Sequence, residues 1–462
     1  MNAAAETGAE EMQRGREIVE RALTLTRRAG AEAADAVLIE ADAREARVRD
    51  REIDFVRQSQ ERCLGIRALV QHSGGMSTAV TSTSDLAEAT VARMAQESVA
   101  LARATAPDPA AGLPEGGFAG ELPELDLFEA RDRSVSIEAR IEDARRAERA
   151  AREVDPRIVN SEGSHVESDF AGVVYGNSAG FLGHYWSATH SLYSEPLASA
   201  GDSMQRDYWM TVGRRLDALE DPASVGRRAA ERALRRLGAR PVKTCEVPVI
   251  FDDMTARSLL GHIAGLVSGY SIYRQASAWA DRLGDRVAAD SISVIDDGHL
   301  PGGFGSKPFD GEGLPTRRNV VIESGRLESW LLDTYSARKL GMESTGNASR
   351  GAGSSPGVGT TNLWIEPGDQ TLDEIIADTE RGLLVTELIG MGFNPVTGDY
   401  SRGAAGLWIE KGEIAYPVDE VTIAGNLTDM LCDIDAVGCE LVWHGSTASP
   451  PLRVRCMTLA GE

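Results

Sequence analysis

Apolar residues recur at helical spacing near the start of the chain, where Met12, Ile18, Val19, Ala22, Leu23 and Leu25 mark one face of an amphipathic helix over Glu10–Arg28. Past the break at Gly30 the period shortens to two, and Ala36–Ile39, Ala46–Arg57, Gly65–Val70 and Met76–Thr81 read as strands. Helical spacing returns over Leu86–Ala102, with Asp85 as the expected N-cap, and the Pro-, Gly- and Ala-rich stretch Thr105–Glu124 reads as a linker. The same style recurs in a charged helix from Ser136 to Val154, strands between Arg157 and Val212, and an arginine-rich helix over Ser224–Leu237 that Arg240-Pro241 closes off. From Cys245 onward a larger region opens on the β-run Glu246–Phe251. It alternates short strands with glycine-rich loops and a few helices such as Leu372–Arg381 and Leu427–Asp433. The predicted class is α+β: two N-terminal helix-and-sheet modules (1–104 and 131–241, linked by 105–130) followed by a larger β-rich C-terminal domain (242–462).

Composition narrows the function. With 42% hydrophobic and 26% charged residues over 462 positions, the chain has the balance of a folded protein of two or three domains. Its formal charge of −23 opposes a nucleic-acid partner, because displacing counterions from phosphates needs a positive field. Arg227, Arg228, Arg232, Arg235, Arg236 and Arg240 form a local basic run, but their helical spacing around Glu231 reads as a solvated helix face. Five dispersed cysteines without a C-x-x-C pair fit free thiols in a reducing compartment. The acidic start lacks a secretory n-region, and the longest apolar run, Leu259–Val267, is broken by His262 and far short of the roughly 20 residues that span a bilayer. The expectation is a cytoplasmic protein with no membrane and no nucleic-acid partner.

Several motifs offer chemistry. Gly176-Asn177-Ser178-Ala179-Gly180 matches G-x-S-x-G, but β-type residues follow it where a nucleophile elbow needs a helix, so a hairpin turn is the better reading. The glycine-rich run Ser349–Thr361, with Gly351, Gly353 and Gly357, lacks the strand-to-helix context and the Lys-Ser/Thr of a phosphate loop. Cys432, Cys439, His444 and Cys456 lack the close pairing of structural zinc ligands and read as buried cysteines and a strand histidine. The helix after Asp252-Asp253 is more informative. Gly261, Gly265 and Gly269 fall at i, i+4 and i+8, and since each interior glycine costs up to about 1 kcal/mol, the stripe implies that another backbone approaches closely there. Beside it, His262 has Ser258 and Leu266 one turn away, so the helix carries no metal-binding pair.

The C-terminal half carries a family resemblance. The strings Leu383–Gly392, Asn394–Gly406, Tyr335–Gly341, Ile414–Val418, Ile423–Leu427 and Met457–Gly461 resemble the TldD/PmbA family, the Asp399–Gly406 and Tyr335–Gly341 strings on its PmbA (TldE) branch. In the TldD-like branch a helix carries His-Glu-x-x-x-His, which implies a zinc peptidase with the glutamate as general base. Histidines five apart sit about 140° apart on an ideal helix, so that motif needs a π-type turn. Aligned on the preceding Leu259-Leu260, its three positions fall at Gly261, His262 and Leu266, and all three are replaced.

The resemblance implies a subunit without metal or catalytic residues of its own. It would pair with a TldD-like metalloprotease that holds the zinc, the two enclosing a chamber for unfolded or small peptides. The glycine loops Pro301–Ser306 (Gly302, Gly303, Gly305) and Ser349–Thr361 could offer backbone to an extended peptide, or only permit tight turns. The rival reading is a stand-alone peptide-binding or scaffolding homodimer. The family's older label, modulator of DNA gyrase, is indirect on the charge argument. Affinity for double-stranded DNA at physiological salt is therefore expected to match that of an acidic control protein, and tight, salt-sensitive binding in an anisotropy titration would overturn this.

Overall fold

In the computed structural model, which describes residues 3–461, the N-terminal half is built on one continuous sheet. Helix α1 (Ala3–Arg28) leads into β1 (Ala33–Arg49), β2 (Glu52–His72), β3 (Gly75–Thr83) and α2 (Glu88–Ala104). Then follow α3 (Ile137–Glu153), β4 (Ile158–Asn177), β5 (Leu182–Ala200), β6 (Ser203–Arg206), β7 (Trp209–Gly213) and α4 (Pro222–Arg235). The two helix-and-sheet modules are not separate layers. β1 pairs antiparallel with β4 from Asp35↔Asn177 to Val48↔Ser164, giving seven strands in the order β3-β2-β1-β4-β5-β6, with β7 also on β5. Each module keeps its own helix pair: Val19 and Met94 pack with Leu38, Ile66 and Val174, while Ile141 and Val225 pack with Val166 and Leu192. α3 and α4 cross so closely that a Cβ at Gly226 would sit 2.0 Å from the Ala147 carbonyl oxygen.

Three local readings change. The run Ala46–Arg57 is not one strand, because the chain reverses at Asp50-Arg51, both at positive φ (51° and 69°). No glycine or proline announces this turn. Its backbone N–H groups donate instead to the buried Glu148 carboxylate of α3, at 2.7 and 3.0 Å, so a tertiary contact takes the place of local turn chemistry. α2 starts at Glu88 and its N-cap is Ala87; Asp85 stands two residues earlier, accepting from Ala87 N–H and the Thr90 hydroxyl. The arginine-rich helix is only partly solvated: Arg227 and Arg228 are exposed, but Arg232 and Arg236 are buried against Asp207 and Glu387.

The C-terminal domain starts with β8 (Cys245–Phe251), α5 (Asp253–Val267) and α6 (Gly269–Tyr273). Next come β9 (Val294–Asp297), β10 (Arg318–Glu323), β11 (Arg326–Leu327), α7 (Thr334–Leu340), β12 (Ala348–Ser349), β13 (Gly357–Val358) and β14 (Asn362–Ile365). It ends with α8 (Leu372–Ala377), β15 (Arg381–Ile389), β16 (Asp399–Glu410), β17 (Glu413–Asn426), α9 (Leu427–Cys432), β18 (Ile434–Val437), β19 (Thr447–Ala448) and β20 (Leu452–Ala460). The order β17-β16-β15-β8-β20 closes through β17–β20 pairing, and a second sheet runs β11-β10-β9-β14-β19. Leu259, Leu260, Ile263, Leu266 and Val267 of α5 are fully buried in the core that both sheets share. Among the described residues no helix is long and apolar enough to cross a membrane.

Buried charges join the halves. Asp35 of β1 accepts from Arg67 of β2 (Nε at 2.8 Å) and from Arg350, just past β12, at 2.5 Å; all three are buried. Burial alone would raise Asp35, but the two guanidinium groups outweigh it and hold the carboxyl below its usual range. Glu312 lies 4.0 Å from Arg67 and accepts from Thr334 N–H; desolvation pushes it up to about 7, with Asp310 adding to the rise and Arg67 opposing it. Next to this cluster, the Ala352 carbonyl oxygen lies where a Cβ on Gly65 would be, at 1.7 Å, so the loop after β12 rests directly on β2. The folded state keeps the Glu312 proton between about pH 4.5 and 7 while the unfolded chain releases it, so this group lowers stability as pH rises through that window. The expected loss is up to about 3 kcal/mol. Glu312→Gln is expected to lose about 2 kcal/mol less stability than wild type between pH 5 and 7.5 in chemical denaturation, and parallel curves would show that Glu312 is ionised throughout.

Candidate functional site

Helix α5 presents the residues that the sequence singles out. Its start is fixed by Asp252, whose carboxylate accepts from Thr255 N–H and the Thr255 hydroxyl, both at 2.8 Å. Arg257, Gly261 and Gly265 follow at four-residue spacing along one side, while Leu259, Ile263 and Leu266 face the core. Among the described residues the glycine stripe meets another backbone only at Gly269, whose N–H donates to Leu331 O at 2.8 Å. Gly261 and Gly265 are exposed, with nothing within 4 Å of the point where a Cβ would stand, and only Gly269 is crowded, by Ser336 and Leu332 at the start of α6. The close approach expected from sequence is therefore absent at two of the three positions, because α5 turns its packed side to the barrel and its glycines outward.

The three degenerate motif positions have separate fates. Gly261 offers no side chain, and Leu266 is fully buried among apolar groups. The His262 ring lies 4.4 Å from the Phe393 ring and 5.8 Å from that of Tyr400, and its Nε2 is buried without a hydrogen-bond partner. Burial pushes the His262 pKa down, and Arg402 adds to the shift. One imidazole covered by Phe393, between two positions without donor atoms, does not fit a zinc site. Among the described residues no three His, Cys, Asp or Glu side chains are grouped to hold a metal ion.

The other candidates resolve as follows. Ser178 sits in the β4–β5 hairpin, its Oγ accepting from Ala34 N–H at 2.9 Å, while the Asn177 side chain accepts from Ala179 and Phe181 N–H and Gly180 takes φ +105°. The serine has a hairpin's context. Cys432, Cys439 and Cys456 are exposed rather than buried; a register shift in β20 between Val454 and Met457 turns Arg455 and Cys456 both outward. His444 lies outside any strand, 3.7 Å from the Asp253 carboxylate.

The glycine loops separate. In Pro301–Ser306, Gly302 N–H donates to Leu125 O, Gly305 N–H to the Asn362 side chain, and the Gly303 and Phe304 carbonyls accept from Arg214. Gly302, Gly303 and Gly305 thus each have a backbone group engaged within the protein. Gly351 N–H donates to Ser354, Gly353 lies by Ser82, and Gly357 borders a cleft of about 360 Å3 lined by Tyr270, Tyr273, Tyr335 and Glu312.

A second cleft, of about 600 Å3, runs beside Gly261 and is bordered by Arg206, Arg236, Arg257, Arg402 and Thr386. Spacing could have found Arg257, one turn before Gly261. Arg402 and Thr386 come from two strands of the barrel, and no local pattern brings them together.

The fold and this helix invite comparison with known proteins. Residues 34–102 match the PmbA/TldA metallopeptidase domain 1, 130–237 its central domain and 244–461 its C-terminal domain. The chain belongs to the PmbA/TldD metallopeptidase family. It is 40% identical over 412 residues to Metalloprotease PmbA of Escherichia coli O157:H7, covering 89% of this chain and 88% of that one. It is 36% identical to a Metalloprotease PmbA homolog of Haemophilus influenzae, covering 97% and 96%. A Bacteroides thetaiotaomicron crystal structure named for modulation of DNA gyrase superposes with TM-score 0.88 at 27% identity, covering 96% of this chain and 98% of that one. TldE from Thermococcus kodakarensis has the same fold, with TM-score 0.86 at 23% identity over 96% of this chain and all (100%) of that one.

Within that metallopeptidase family, this member's α5 is expected to leave zinc unbound. After mild chelation and dialysis the purified chain should hold well under one equivalent, and stoichiometric retained zinc by metal analysis would contradict the assignment of Gly261, His262 and Leu266.

Proposed function

We propose that this PmbA/TldD-family chain is the non-catalytic, PmbA/TldE-type subunit of a cytoplasmic metalloprotease that cleaves unfolded or small peptides. A TldD-like partner supplies the zinc and the general base, and the two chains enclose the peptide. The observation that carries this is the state of α5. Where the zinc-bearing branch has His-Glu-x-x-x-His, this helix has Gly261, His262 and Leu266, with no donor set, yet its Gly261–Gly265 side is left bare.

The loop that covers His262 adds to the case. Its Met391 is 94% exposed, and Ile389 and Val396 are also exposed, so the segment that packs Phe393 on His262 presents apolar side chains to solvent. Two exposed glycines in a helix interior sacrifice up to about 2 kcal/mol of helix stability, a loss that closer packing against a second chain could offset. A homodimer would use the same surface, and co-purification from the native host with metal analysis of each chain separates the two readings.

Mutation of that face tests the subunit role. Gly265→Leu meets open space in the free chain, so its melt should match or exceed that of wild type. Assembly with a TldD-like partner, read by sedimentation or light scattering, should weaken roughly ten- to a hundred-fold. Gln96→Leu, on the exposed side of α2, serves as the control. Unchanged assembly of Gly265→Leu would remove this face from the subunit contact.

A further inference from the structure

The cleft beside Gly261 has a charge arrangement that its neighbours do not consume. Three carboxylates border it, and each already faces a guanidinium: Glu195 with Arg206 at 3.5 Å, Asp207 with Arg232 at 3.1 Å, and Glu387 with Arg236 at 2.5 Å. Arg257 and Arg402 border the same space and make no ion pair among the described residues. Arg257 donates one N–H to the His444 carbonyl oxygen at 3.3 Å; the Nε of Arg402 is buried without a partner. Thr386, also on the cleft, is almost fully buried, and its hydroxyl has no hydrogen-bond partner either. Half-buried guanidinium groups that lack a carboxylate, beside an unpartnered hydroxyl, leave strong donors for water or an anion to meet, and an anion gains charge-assisted bonds there.

These groups enter from three directions. Arg257 projects from α5 one turn before the bare Gly261, Thr386 lies on β15, and Arg402 lies on β16 next to Tyr400 and His262. The absence of a side chain at Gly261 leaves the cleft open where the zinc-bearing branch would place its first ligand. A guanidinium presents a planar fork of donors that matches a carboxylate, and a main chain could approach the bare helix at Gly261.

We infer that this cleft binds the C-terminal carboxylate of a peptide, with Arg402 and Arg257 as the anion-binding pair and Thr386 as an added hydroxyl donor. The inference rests on the peptide-protease reading above and names what this chain contributes to it: an anchor for the end of the substrate. Arg206 and Arg236 are held by Glu195 and Glu387 and frame the pair rather than bind. The peptide's terminus, rather than an acidic side chain, is favoured because the space beside Gly261 admits backbone, and only the last residue brings a carboxylate on its own main chain.

The test uses the full-length chain, alone and with its TldD-like partner. Three fluorescein-labelled decapeptides of glycine, serine and alanine serve as probes: one with a free C-terminal acid, one C-terminally amidated, and one amidated with an internal aspartate. Anisotropy at pH 7 should show the free acid binding about tenfold or more tighter than either amide, as expected for charge-assisted hydrogen bonds. The difference should shrink at high salt. Arg402→Gln and Arg257→Gln should each erase most of that preference while keeping the wild-type melt. Equal binding of acid and amide, binding of neither, or equal binding of the internal-aspartate amide would overturn the inference. Since the wild-type comparison needs no variant, misfolding of a mutant does not protect it. Assembly with the partner and peptide cleavage are measured in parallel: a complex that assembles and cleaves without the acid preference sinks this inference alone, whereas no assembly sinks the subunit reading.

Discussion

The buried cluster of Asp35, Arg67, Arg350 and Glu312 is the contact on which the arrangement of the two halves depends. Asp35 and Arg67 belong to adjacent strands of the N-terminal sheet, whereas Arg350 and Glu312 come from loops of the C-terminal domain. Removing one partner from such a group typically costs about 3–5 kcal/mol, because a charge is left buried without compensation. A hydrophobic contact would hold the halves with comparable strength but tolerate sliding. An ion-paired cluster of Asp35 with Arg67 and Arg350, with Glu312 4.0 Å from Arg67, is satisfied only in one register and does not. The Ala352 carbonyl pressed onto Gly65 adds a steric limit at the same point. The result fixes the loop after β12, and with it Gly357 and the tyrosine-lined cleft, against the first sheet.

That constraint acts with a second set of ties. The segment between the modules is not a free tether, since Asp108 accepts from the Tyr335 hydroxyl at 2.8 Å and from Lys339 at 2.9 Å, and Arg338 donates to the Ala110 and Leu113 carbonyls. Helix α7 is therefore clamped to the N-terminal half. α5 is held differently, by burial of its apolar side in the shared core, while Gly261 and Gly265 on its opposite side face open space. A helix so firmly seated can leave glycines exposed without melting, because its stability comes from packing rather than propensity.

Periodicity is enough to recover the α+β class, the four helices of the N-terminal half and the core helix α5, since each carries a long apolar stripe. The failures share a cause. The Asp50-Arg51 turn is held by Glu148, almost a hundred residues away. Arg232 and Arg236 look like a solvated face until Asp207 and Glu387 arrive from other elements. The single sheet across both modules depends on β1–β4 pairing, which no local pattern encodes. The candidate site divides along the same line. Gly261, His262 and Leu266 are legible because they lie on one helix and match a family motif in position. Arg402 and Thr386 are not, because their significance arises only when β15 and β16 bring them beside α5. The glycine loops stay open in sequence for a related reason: Leu125, Arg214 and Asn362, which engage backbone groups of Gly302, Gly303 and Gly305, come from elsewhere in the chain.

Net charge and local charge act over different distances here. The −23 of the whole chain sets the field that an approaching molecule meets, but at physiological ionic strength this field is largely screened beyond about 8 Å. Inside the cleft beside Gly261 the two guanidinium groups without carboxylate partners dominate, in surroundings less polarisable than water. The two ranges select together. Under the proposal of a carboxylate-terminus site, a peptide rich in aspartate and glutamate would be disfavoured on approach, while one whose negative charge is confined to its terminus would lose little on approach and gain the close-range interaction. On that proposal the acidic surface and the basic cleft would act as complementary filters, with selectivity arising from the contrast between them rather than from either alone.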